Sequence, residues 1–84
     1  YNTFPMYTLY IIKCSDESLY TGIATDLNKR LDIHKQGTGS KYVRTRLPFS
    51  LVYTEKCKNR SLATKREMVI KKLTRKQKLN LIKK

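Results

Sequence analysis

The sequence predicts an α+β domain: a three-stranded antiparallel sheet with flanking helices, in the order β-β-α-β-α-α. Three segments are rich in β-branched and aromatic residues, and three others have apolar residues at helical spacing. The chain has 84 residues, no internal repeat and no low-complexity linker, which allows one small domain. We expect this domain to span residues 6–84, with residues 1–5 as a tag or disordered leader.

The strands are predicted at residues 7–13, 19–23 and 49–56. The first two flank a cluster of turn-forming residues at 15–18, which predicts an antiparallel hairpin. Successive residues 9–12 are all apolar, so both faces of the first strand carry apolar groups. The sheet is therefore expected to be covered at least partly on both sides.

The first helix is predicted to begin after the N-cap Thr25, with Asp26 in its first turn, and to end near Gln36. Gly37 is then the C′ residue. Residues 37–48, rich in Gly, Ser, Thr and positive charge, are predicted to form a loop.

Two more helices follow the third strand. Ser61 is the predicted N-cap of a helix that runs to about Leu73. Thr74 and Gln77 have the spacing of a capping box, which predicts that the last helix starts there.

Positive charge dominates the chain. It has 19 Lys and Arg against 6 Asp and Glu, a net charge of +13, and residues 56–84 contain a single acid. This asymmetry favours a polyanionic partner, nucleic acid first and an anionic membrane surface second, with a solvated basic face as the alternative. The longest purely apolar run has four residues, which is too short for a transmembrane span or a signal-peptide core.

The two cysteines, Cys14 and Cys57, are far apart and have no second Cys or His nearby in sequence. This spacing excludes a zinc site. We expect two reduced thiols in a cytoplasmic protein, with a single disulfide as the alternative.

Three side chains could carry chemistry. On a helical wheel, Arg30 and His34 fall in the buried arc of the first helix or at its edge. Taken alone, each is more often structural than functional. Glu67, the single acid of the basic third, could pair with Lys71 four residues on or be a carboxylate ligand for Mg²⁺.

The pattern of these residues resembles the GIY-YIG nuclease domain, and in particular the small stand-alone bacterial GIY-YIG proteins. The segments that carry the resemblance are Leu9-Tyr10-Ile11-Ile12, Leu19-Tyr20-Thr21-Gly22-Ile23, Arg30-Leu31, His34 and Glu67. The resemblance covers essentially all of residues 6–74. Two departures are Thr8, where the first motif has its glycine, and Ile23, where some repair-nuclease relatives carry a lysine.

The resemblance implies catalytic roles for five residues. Tyr10 and Tyr20 match the two motif tyrosines, and Tyr20 is the candidate general base or activator of the attacking water. Arg30 matches the arginine that contacts the scissile phosphate. His34 matches a position that lines the same pocket, and Glu67 matches the glutamate that holds a single divalent metal, Mg²⁺ or Mn²⁺.

Gly22 matches the motif glycine, where the backbone approaches a phosphate closely. If Tyr10 and Tyr20 share one site, they must point to the same face of the sheet. The residues paired across the hairpin must then sum to an even number, which requires an odd-length turn such as residues 16–18, or a bulge.

The function implied is a Mg²⁺-dependent DNA endonuclease with a role in repair or recombination, expected to be a monomer and to have no membrane partner. We expect DNA to be gripped by basic side chains of the loop and the last helices: Lys41, Arg44, Arg46, Lys71, Lys72 and Arg75. Two alternatives are a nucleic-acid-binding module without significant catalysis and a small RNA-associated protein.

Overall fold

The structure, a computed structural model, describes residues 6–83. Its elements in chain order are β1 (Tyr7–Cys14), β2 (Leu19–Ala24), α1 (Leu27–Lys35), α2 (Lys41–Arg44), β3 (Phe49–Cys57), α3 (Arg60–Lys71) and α4 (Arg75–Lys83). The predicted α+β class and element order are confirmed. The one addition is α2, a single turn inside the predicted loop. The leader predicted at residues 1–5 lies outside the described residues.

The sheet has the strand order β2-β1-β3, and both pairings are antiparallel. Central strand β1 is almost completely buried because helices cover both of its faces. Leu9 and Ile11 pack with α3 and α4 on one face, whereas Tyr10 and Ile12 pack with α1 and α2 on the other. This arrangement confirms the two-sided sheet expected from the apolar run in β1.

The hairpin between β1 and β2 has a three-residue turn, residues 15–17, in which Glu17 adopts a left-handed φ of 70°. Its odd length places Ile12 opposite Tyr20. Tyr10 and Tyr20 therefore point to the same face, as a shared site requires. The predicted parity is confirmed, although the turn begins one residue earlier than residues 16–18.

Helix α1 is capped by Asp26, not by Thr25 as predicted. The Asp26 carboxylate accepts a hydrogen bond of 3.0 Å from the backbone N–H of Lys29, because an aspartate at the N-cap reaches the third helical residue. At the other end Gly37 has a φ of 75°, which confirms it as the C′ residue in the left-handed conformation.

Helix α3 begins earlier than predicted. Asn59, not Ser61, is its N-cap, and the Asn59 side chain accepts a 2.9 Å hydrogen bond from the backbone of Leu62. The capping box of α4 is confirmed, since Thr74 and Gln77 exchange hydrogen bonds of 2.9 and 3.2 Å.

An ion pair fastens α3 to β3. Arg66 donates from Nε and Nη2 to the two carboxylate oxygens of Glu55, at 2.8 and 3.1 Å, and Tyr53 donates its hydroxyl to the same carboxylate. Helical spacing places Arg66 beside the buried residues Ala63 and Ile70. The ion pair explains how a cation is accommodated there.

Both cysteines are buried free thiols. Cys14 pairs with Phe49 and Cys57 with Tyr7, at opposite ends of β1, so a disulfide between them is geometrically impossible. The expected pair of free thiols is confirmed. Within residues 6–83, no helix has the length and apolar character needed to cross a membrane.

Candidate active site

A hydrogen bond between two buried side chains lies at the centre of the candidate site. The hydroxyl of Tyr10 is 2.9 Å from Nε2 of His34, and each residue is only 1% exposed. Tyr10 comes from the central strand, where alternation turns it toward α1. His34 comes from the inward face of α1, two turns after the helix begins.

Two further tyrosines extend this pair into a ring cluster of Tyr10, His34, Tyr20 and Tyr42. The Tyr20 ring meets the His34 ring edge-on, with centroids 5.7 Å apart. The Tyr42 ring stacks on Tyr20 at 5.8 Å. Since Tyr20 is half-buried and Tyr42 is exposed, the ring cluster runs from the interior of the domain to its surface.

Two glycines leave room for the ring cluster. A Cβ on Gly22 would lie 2.5 Å from the Tyr10 hydroxyl oxygen, and a Cβ on Gly39 would lie 2.9 Å from Nδ1 of His34. The structure thus gives Gly22 a packing reason, namely that the Tyr10 phenol occupies the space above it. The approach of a phosphate to the Gly22 backbone stays a prediction.

The charges around Tyr10 identify its neighbours. The pKa of Tyr10 is raised to about 12; burial is the largest cause, the charges of Tyr20 and Glu67 add to the rise, and Arg30 opposes it. The Tyr10 phenol is therefore close enough to Tyr20, Arg30 and Glu67 for their charges to affect its pKa. At neutral pH the Tyr10 hydroxyl keeps its proton.

His34 is likewise held neutral. Burial lowers its pKa, and the positive charge of Arg30 lowers it further. Its Nδ1 is buried without a hydrogen-bond partner among the described residues. An unpaired buried nitrogen costs free energy, and such groups are often found where a protein performs chemistry.

Arg30 stands at the rim of the site. It lies on α1 one turn before His34 and is exposed, which places it at the edge of the buried arc, outside the core. It lines a cleft of about 210 Å³ together with Asp26 and Lys29. An exposed guanidinium beside a cleft is well placed to contact an anion.

Glu67 approaches from α3, on the other side of the sheet. Its side chain is 20% exposed, and its Oε2 lies 3.5 Å from Nζ of Lys71. The i,i+4 pair considered from the sequence is therefore present. It leaves the carboxylate able to act elsewhere, because one ion pair to a half-exposed lysine is weak.

A divalent metal would find a sparse set of ligands here. Within the described residues no three His, Cys, Asp or Glu side chains gather into a metal-binding group. Mg²⁺ is compatible with such a site, because it is commonly held by one or two carboxylates plus water and substrate phosphate. The partly buried carboxylate of Glu67 fits that requirement.

The predicted DNA-binding residues divide between the two sides of the sheet. Lys41 and Arg44 are exposed on α2, where the buried Val43 anchors the turn. Arg46, just after α2, is engaged within the protein: its Nε lies 3.0 Å from a carboxylate oxygen of Asp16.

The other three predicted binding residues lie around the junction of α3 and α4. Lys72 and Arg75 are exposed, and Lys71 is the partner of Glu67. The structure thus places basic side chains on both sides of the sheet, and two of the six are already paired with acids.

Sequence reasoning missed Tyr42 and Gly39, because the segment that contains them was predicted as an irregular loop. A local signal was present. Ser40 is an N-cap, accepting a 3.2 Å hydrogen bond from the backbone of Tyr42, and it precedes the apolar Val43, a pattern that marks a helix start.

Comparison with known proteins places this geometry in a family. The GIY-YIG catalytic domain family matches residues 6–80. A UPF0213 protein of Staphylococcus aureus strain Mu3 is 53% identical over 75 residues, covering 89% of this chain and 92% of that protein.

Two solved structures are similar. The protein EF2693 of E. faecalis is 44% identical with a TM-score of 0.66, and the UPF0213 protein BH0048 of Bacillus halodurans is 38% identical with a TM-score of 0.61. Each comparison covers 93% of this chain and 83% of the solved chain. Since the family match spans residues 6–80, nearly the whole chain, the protein belongs to the GIY-YIG catalytic domain family, a nuclease-type domain.

Proposed function

We propose that this domain is an endonuclease that hydrolyses phosphodiester bonds of DNA with the help of a single divalent ion, Mg²⁺ or Mn²⁺. The observation that supports it is the buried hydrogen bond of Tyr10 to His34, with the Tyr20 ring against His34 and with Arg30 and Glu67 close enough for their charges to influence the pKa of Tyr10. A protein that only binds nucleic acid has no need of a buried phenol–imidazole pair beside an arginine and a carboxylate.

The two tyrosines take different parts in this proposal. Tyr10 is buried and its pKa is raised to about 12, so it keeps its proton and its role is to hold the His34 ring. Tyr20 is half-buried and closer to solvent, so it is the phenol that a water molecule can reach. Tyr20 is thus the residue that orients and activates the attacking water.

Arg30 and Glu67 are proposed to stabilise the negative charge that develops on the phosphate during hydrolysis. As the water oxygen bonds to phosphorus and the bond to the leaving oxygen breaks, negative charge builds on the phosphate oxygens, and the exposed guanidinium of Arg30 stabilises it. Glu67 is the residue that would hold the divalent ion. When bound, such an ion neutralises developing charge as a Lewis acid.

The test is cleavage of labelled duplex, nicked, branched and single-stranded DNA with Mg²⁺ or with EDTA. Wild type should cut only with metal. Glu67→Gln, Tyr20→Phe and Arg30→Ala should each lower the rate by about 10²-fold or more, the usual loss when one group that stabilises the transition state is removed.

Glu17→Gln is the matched control, because Glu17 also pairs with a lysine four positions away, at 3.6 Å, but lies in the hairpin turn. It should cut at the wild-type rate. Preferential cutting of branched or nicked DNA would support a role in repair or recombination. Salt-sensitive binding by wild type without metal-dependent cutting would refute the endonuclease.

A nucleic-acid-binding module without catalysis is the second candidate. It is favoured by the ion pair of Glu67 with Lys71, since the lysine ammonium competes with a metal ion for the carboxylate. In that case Glu67→Gln and Glu17→Gln would bind every DNA equally well and neither they nor wild type would cut. An RNA of the same sequence, tested alongside, would show whether the partner is DNA or RNA.

A further inference from the structure

We propose that a cleft at the carboxyl end of β2 is a second phosphate subsite. In it, Arg60 binds one phosphate of the DNA strand, and Arg30 binds the phosphate next to it. The cleft has a volume of about 260 Å³ and is lined by Tyr7, Ile23, Ala24, Thr25, Arg30 and Arg60. The inference deepens the proposed function and rests on it for the identity of the strand.

The two arginines reach this cleft from opposite faces of the sheet. Arg30 belongs to α1, which packs on the Tyr10 face, and Arg60 is the first residue of α3, which packs on the Leu9 face. They meet because β2 is an edge strand, so the cleft runs around the open edge of the sheet. A strand of nucleic acid crossing this edge would contact both.

Neither of these two cations is paired with an acid, although Asp26 lines the neighbouring cleft that Arg30 also borders. The cleft lining contains no carboxylate, and within residues 6–83 neither Arg30 nor Arg60 forms an ion pair, whereas Arg46 and Arg66 each have an acidic partner. Like charges beside one concave surface raise the positive potential there. A phosphate is the ligand that relieves it, because a guanidinium matches phosphate oxygens bidentately.

The position of Arg60 on α3 relates this cleft to the proposed metal ligand. Residues 60 and 67 are seven apart, so Arg60 and Glu67 lie on one stripe of the helix, about 10 Å apart along its axis. With this separation along the helix, we assign Arg60 to a neighbouring phosphate of the strand and not to the one beside Glu67. Two neutral residues that carry hydroxyl groups, the half-buried Tyr7 and the exposed Thr25, also line the cleft.

The test is equilibrium binding in EDTA, measured by fluorescence anisotropy on a short labelled DNA duplex. A set of duplexes carries a single neutral methylphosphonate at successive positions of one strand. Arg60→Ala should weaken binding about tenfold and make the slope of log K against log[salt] shallower by about 1. Arg60→Lys should restore the charge but only part of the affinity, because a lysine lacks the bidentate fork.

The control is Lys65→Ala, which removes one positive charge from the same helix at a position about 140° around it from Arg60. It should change affinity less than about twofold, as expected for a charge outside the contact. One methylphosphonate position should weaken binding by wild type and by Lys65→Ala but leave Arg60→Ala unaffected.

Equal losses in Arg60→Ala and Lys65→Ala, with no phosphate position that distinguishes them, would overturn the subsite. Cleavage by wild type is measured separately with Mg²⁺. If Arg60→Ala changes binding at one methylphosphonate position but wild type does not cut DNA, the endonuclease is refuted and the subsite is supported. If wild type cuts DNA but no position distinguishes Arg60→Ala, the subsite is refuted and the endonuclease is supported.

Discussion

Gly22 and Tyr10 show how closely the site is packed at the scale of single residues. In Gly22→Ala the new Cβ would lie 2.5 Å from the Tyr10 hydroxyl oxygen and 2.7 Å from its Cζ, so the buried ring or the β2 backbone must shift. We expect a loss of about 1–3 kcal/mol in the free energy of unfolding, the usual cost of overpacking. Urea denaturation measures it.

A double-mutant cycle supplies the control for Gly22→Ala. Tyr10→Phe removes the atom closest to the new Cβ, so the cost of Gly22→Ala should fall in the Tyr10→Phe background. Strict additivity of the two changes would contradict the contact between Gly22 and the Tyr10 hydroxyl.

The raised pKa of Tyr10 makes a prediction about alkaline pH. Burial, reinforced by the charges of Tyr20 and Glu67, raises this pKa from 10.0 to about 12, so the unfolded chain loses the Tyr10 proton at lower pH than the folded domain. The stabilisation is fully present below pH 10 and is lost as the pH rises toward 12. It amounts to at most about 3 kcal/mol, since one pKa unit corresponds to about 1.4 kcal/mol.

This loss is measured as the difference in unfolding free energy between wild type and Tyr10→Phe across pH 8–12, because the other tyrosines and the lysines titrate in both proteins. Absorbance of tyrosinate should show one fewer late-titrating phenol in Tyr10→Phe. A difference between the two proteins that stays constant with pH would show that Tyr10 titrates normally.

At this scale the sequence predicted the orientation of the two motif tyrosines but not the contacts that they make. Tyr10 and Tyr20 could be assigned to one face, because strand parity depends only on turn length. The contact of Tyr10 with His34 could not be predicted, since it depends on how α1 sits on the sheet. Tyr42 was missed because stacking on Tyr20 needs a tertiary approach that no local periodicity encodes.

At the scale of elements, the position of α3 matters most, because α3 carries both Glu67 and Arg60. The Glu55–Arg66 ion pair ties this helix to β3. Glu55→Gln should lower the free energy of unfolding by about 1 kcal/mol and no more, because Arg66 is 38% exposed and water screens the pair. Chemical denaturation at low salt measures the loss.

The comparison for Glu55→Gln is Glu17→Gln, whose ion pair with Lys13 is exposed on the hairpin and should be worth close to nothing. Raising the salt concentration should reduce the difference in unfolding free energy between the two variants. Equal stability of the two variants at low salt would mean that packing alone, through Ala63 and Ile70, positions α3.

Element boundaries were predicted less well than element types. Asp26 and Asn59 cap α1 and α3 where Thr25 and Ser61 were expected, because all four residues are good N-caps and the choice depends on where the chain leaves the sheet. Helix α2 was missed, since a single turn has too few residues for a periodic pattern to be recognised.

At the scale of the whole molecule, the fold was predictable because the charge and the apolar residues are segregated along the chain. The run of apolar residues in β1 required cover on both faces of the sheet, and the helices that follow provide it. The division of the basic residues between two sides could not be predicted, because it depends on which helices cover which face.

The net charge of +13 makes DNA affinity dependent on salt, but the structure assigns the cations unequal roles. Four of the predicted binding residues make no ion pair within the described chain: Lys41, Arg44, Lys72 and Arg75. With Arg30 and Arg60 they give about six phosphate contacts. Affinity should then fall by roughly 10³-fold between 50 and 200 mM salt.

Arg44→Ala and Arg46→Ala separate local contacts from net charge, since each removes one positive charge from the same segment. Arg44 is exposed and unpaired in the described structure, so Arg44→Ala should make the salt slope shallower by about 0.9. Arg46 is neutralised by Asp16 and packs 3.8 Å over the Tyr42 ring, so Arg46→Ala should leave the slope nearly unchanged and lower the unfolding temperature instead. If both variants changed the salt slope equally, DNA binding would depend on the net charge of the basic surface and not on individual contacts. The ion pair of Arg46 with Asp16 would then not affect DNA binding.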